Sequence, residues 1–108
     1  MTDRDLLELA AKAIHLPENY SNEAYMRGWY SQWNPLTDDG DALRLAVKLR
    51  MRVILTGCIE RGFAFVQVDY PIERGELSCL EEESNGDHEA DTRRAIVRAA
   101  AEIGKAMK

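Results

Sequence analysis

The run Trp33-Asn34-Pro35-Leu36-Thr37-Asp38-Asp39-Gly40-Asp41, followed directly by Ala42-Leu43-Arg44-Leu45-Ala46-Val47-Lys48-Leu49, leaves the chain little conformational choice. Asn34-Pro35 sets a turn, because proline fixes φ and pushes the residue before it out of the helical region. Thr37, Asp38 and Asp39 are all competent N-caps, and an acidic first turn complements the helix dipole. A helix is expected from about Asp39 to Arg50. Leu45, Ala46 and Leu49, with Ala42 and Leu43, form its buried side, while Arg44, Lys48 and Arg50 face water.

Two further helices follow from the same reasoning. Thr2 and Asp5 have the spacing of a capping box, and Leu6, Leu7, Leu9, Ala10, Ala13 and Ile14 supply an apolar face that ends before Pro17. The last helix is expected from Asp87 or Asp91 to Ala106, with Ile96, Ala99, Ala100, Ile103 and Met107 in one stripe. Its dense alanines let it lie close against the sheet or another helix.

Between the second and third helices the hydrophobic period changes to that of strands. Val53-Ile54-Leu55 is β-branched-rich and runs to Thr56-Gly57. Phe63 to Tyr70 alternates, and its Ala64/Val66/Val68/Tyr70 face is the more consistently apolar, so that face is assigned to the core. Glu76 to Glu81 is read as a third, polar edge strand, guarded by Glu81, Glu82 and Glu83. An additional strand or extended piece is read near Tyr25 to Ser31. The expected order is α-β-α-β-β-β-α: an α+β domain in which a small antiparallel sheet of three to four strands packs with three helices. At 108 residues the chain is long enough for one domain, residues 1–108, and too short for two.

Charge and motif content exclude several functions. The net charge is −5, which disfavours nonspecific attachment to DNA or anionic membrane. No apolar run approaches the ~20 residues of a membrane span. Met1-Thr2-Asp3-Arg4-Asp5 lacks the apolar core of a secretory signal, so a cytoplasmic location is expected. Cys58 and Cys79 are far apart and read as reduced thiols. With His15 and His88 they match no metal-ligand spacing. Asp38-Asp39-Gly40-Asp41 does not follow a calcium-loop spacing, and capping accounts for its acids. Gly104-Lys105 sits at a helix end, not in a phosphate loop. No nucleophile elbow, zinc-protease motif or dinucleotide fingerprint is present, so neither an enzyme nor a cofactor is expected.

Three constellations remain. Trp29 and Trp33 serve either to lid the core or to form a binding hot spot, and a small domain with few aromatics favours the lid. The acidic stretch with Glu76, Glu81, Glu82, Glu83 and Asp87 either solubilises an edge or docks a basic protein partner, as a set of carboxylates can by imitating phosphates. Arg93, Arg94 and Arg98 on the last helix either contact nucleic acid or pair with neighbouring acids. Overall acidity favours pairing. An exposed edge strand or the aromatic segment also offers a route to self-association.

The Asp5-Leu6-Leu7-Glu8-Leu9-Ala10-Ala11-Lys12-Ala13-Ile14 start, the Trp33-to-Ala46 turn and helix, and the Arg93-Arg94-Ala95-Ile96-Val97-Arg98-Ala99-Ala100-Ala101-Glu102-Ile103-Gly104 finish resemble small bacteriophage and prophage proteins of unknown function. The resemblance covers both ends and the middle of the chain. It implies a small sandwich-like domain of helices and strands, a phage origin and a place of action in the bacterial cytoplasm. It brings no activity and no catalytic residues. The expectation is therefore a non-enzymatic phage or prophage accessory protein that binds a host or phage protein. One version is an inhibitor of a host defence or nucleic-acid-processing protein. The alternative is a nucleic-acid-binding module using Arg93, Arg94 and Arg98.

Overall fold

Thr2 opens the chain's first helix, α1 (Asp3–Ala13), with the capping box that its spacing to Asp5 predicts. The Thr2 hydroxyl accepts from the Asp5 N–H at 3.2 Å, and the Asp5 carboxylate accepts from the Thr2 N–H at 3.1 Å. That backbone bond, then the hydroxyl, holds the Asp5 carboxyl below the usual aspartate range. The computed structural model describes residues 2–14, 33–58, 63–71, 77–84 and 86–107. Within them the chain continues through α2 (Asp39–Lys48), β1 (Arg52–Cys58), β2 (Phe63–Pro71), β3 (Leu77–Ser84) and α3 (His88–Ala106).

The strands form an antiparallel sheet in the order β1-β2-β3. Val68 lies opposite Val53 on one side and Leu80 on the other. Alternation then sends Val66, Val68 and Tyr70 to one face, where all three are buried. α3 packs over β2 and β3 on that face, and both α1 and α2 pack against α3. The result is the α+β arrangement expected from the sequence. The strand read near Tyr25 to Ser31 lies outside the described residues.

The core lies between α3 and the sheet and between α3 and the two other helices. Val68 and Val97 are wholly enclosed there, as are Ala10, Ala11, Ala95, Ala99 and Ala100. Burial of a valine contributes on the order of 1.5–3 kcal/mol. The alanines contribute less area but permit close approach. At Gly104, a Cβ would collide with the Leu9 carbonyl oxygen, so α1 and α3 touch through backbone at that point.

Three boundaries and one face differ from the sequence reading, and a fourth boundary agrees with it. α1 ends at Ala13 with Ile14 as its C-cap, ahead of Pro17. α2 ends at Lys48 and not Arg50, because Arg50 adopts φ 55°. Its N–H donates to Val47 O at 3.2 Å, and the Met51 N–H donates to Ala46 O at 2.9 Å. These two bonds make a Schellman stop with arginine where glycine is usual. β3 extends to Ser84 and so carries Glu81, Glu82 and Glu83 within it. α3 begins at His88, with Asp87 as its N-cap, so the earlier of the two expected starts holds. Leu43 is 64% exposed, contrary to its assignment to the buried side. The core stripe of α2 is Ala42, Leu45 and Ala46, and Leu43 sits one helical step, about 100°, beyond Ala42.

Candidate functional site

The turn before α2 is held by a closed set of local bonds. The Asn34 side-chain oxygen accepts from the Leu36 N–H at 3.0 Å, and its carbonyl accepts from the Asp38 N–H at 2.9 Å. Asp38 caps α2 by accepting from the Asp41 N–H at 2.7 Å. Asp41, only 7% exposed, reaches back to accept the Asn34 N–H at 2.9 Å and takes a 2.6 Å ion pair from Arg44. Two of the acids that resembled metal ligands thus have structural partners, and Asp39 pairs with Arg93. Among the described residues no group of three His, Cys, Asp or Glu side chains is placed to hold a metal ion.

Trp33 is buried with Leu6, Leu45 and Tyr70 in the core, which is the lid role. Trp29 and Glu76 lie outside the described residues. The remaining candidates fall into two groups, one on α3 and one on β3.

The three arginines of α3 do not act as one patch. Arg93 turns toward α2. Its Nε donates to Leu36 O at 2.9 Å, and its Nη1 meets Asp39 at 2.5 Å. Arg94 pairs with Asp3 of α1 at 3.0 Å, and Arg98 pairs with Glu82 of β3. Among the described residues only Arg98 finds its carboxylate in the acidic segment that precedes it in sequence. The other two find theirs at the starts of different helices. Arg94 and Arg98 also line a depression of about 390 Å³ with Leu6, Glu102 and Lys105.

Strand register divides the consecutive glutamates. Glu82 lies opposite Val66, on the helix-covered face, where it is half-buried and bound to Arg98. Glu81 lies opposite Gln67, on the face away from α3, and is exposed. Glu83 stands opposite Phe65 in the ladder. Asp87 is exposed but committed as a cap, accepting the Ala90 N–H at 3.0 Å. Beside Glu81 on the open face, Asp69 accepts from Gln67 at 2.9 Å and lies 4.0 Å from Arg52. Cys79, opposite Asp69, is an exposed free thiol. Desolvation by its surroundings, the hydrogen bond to Asp69 and the charges of Asp69 and Glu81 all push its pKa up, which favours the protonated thiol.

No family model, no curated protein and no solved structure matches this chain.

The exposed leucines are what sequence reasoning missed. Leu43 and Leu55 line one apolar groove. The signal for Leu43 was its place off the Ala42/Leu45/Ala46/Leu49 stripe. Leu55 gave none, because it shares its strand face with the inward-facing Val53.

Proposed function

We propose that this chain is a phage or prophage accessory protein that acts in the bacterial cytoplasm by binding a protein partner, without catalysing a reaction. One observation carries the reading. Arg93, Arg94 and Arg98 are each engaged by a carboxylate of the chain itself, whereas Glu81 stands exposed on the open face of the sheet. Glu81 is an exposed carboxylate of that face, where Arg52 lies beside Asp69, and such a carboxylate suits a basic protein surface. A host defence or nucleic-acid-processing protein has such a surface, and carboxylates on an edge strand can occupy it as phosphates would. Among the described residues no helix is long and apolar enough to cross a membrane, which accords with a partner met in solution.

A second reading has one observation in its favour: Arg94, Arg98 and Lys105 share a depression. It makes the protein a nucleic-acid-binding module whose affinity falls steeply with salt.

One experiment separates the two. Tagged protein is incubated with bacterial lysate, with and without nuclease, beside the Glu81→Lys variant. Glu82 is unsuitable for this substitution because it holds Arg98. Stoichiometric retention of a protein that survives nuclease and is lost in Glu81→Lys is the expected result. Equal retention by both proteins removes this face from consideration. Retention that nuclease abolishes transfers the function to the α3 cations.

A further inference from the structure

We draw no further inference here: the strongest candidate, the apolar groove between α2, the start of α3 and β1, lined by Leu43, Val53, Leu55 and Ile96, carries none because nothing in the structure shows what covers it.

Discussion

Asp41 illustrates how one side chain can decide a local structure. Its carboxylate is the acceptor for Asn34 and the partner of Arg44, while its own N–H is capped by Asp38. Asp41→Ala therefore strips a part-buried N–H of its acceptor and leaves Arg44 with only the longer 3.7 Å contact to Asp38. The expected loss is about 1–3 kcal/mol, read by urea denaturation. Asp41→Asn, which keeps an acceptor, should lose less. The acidic run itself was legible as a cap in the sequence. Which of its acids turns inward was not, because that depends on Asn34 lying within reach of the second half of the run. The same limit applied to Glu82. Consecutive glutamates look equivalent in a sequence, and only strand register gives Glu82 to Arg98 while leaving Glu81 in water.

Elements were legible where their period was strong. The alternation of β2 identified its buried face, and the Ile96/Ala99/Ala100 stripe identified that of α3. Ends were legible only where their chemistry was conventional. Thr2 and Asp38 announced helix starts, but Arg50 closed α2 in the left-handed region without a glycine to mark it. β3 ran past its expected end because a glutamate-rich edge strand has no hydrophobic pattern to follow. The contact between α1 and α3 yields a prediction at this scale. Gly104→Ala places a methyl group against the Leu9 carbonyl, and a backbone cannot yield as a flexible side chain can. The two helices must separate, and the expected cost is about 1–3 kcal/mol. It should appear as a lower Tm, although alanine is the better helix former. Gly40→Ala is the control, since the near atoms there belong to the Arg44 and Asp38 side chains.

For the molecule as a whole, α3 is the hub: the sheet, α1 and α2 all pack against it. Helix and strand composition was readable from local patterns, but this arrangement was not, since no local pattern states which element meets which. Lys12 donates to the Met107 carbonyl at 3.0 Å, and Arg94 reaches Asp3, so contacts tie opposite ends of the described chain together. A chain stopped after Gly86 keeps every strand but loses α3. Val66 and Val68 would then face water and α1 would have no seat. Such a chain should show no cooperative thermal transition by circular dichroism, and a transition near that of the intact protein would refute the hub. Synthesis on the ribosome gives the same architecture a temporal meaning. α1 is made well before the α3 it packs on, so Leu6 and Leu7 must wait, unsheltered, until α3 has been translated. At about 5–20 residues per second, this interval lasts several seconds on every polysome. During it the newborn chain displays a greasy helix to chaperones and proteases, and an mRNA broken before the α3 codons yields a product ready for destruction.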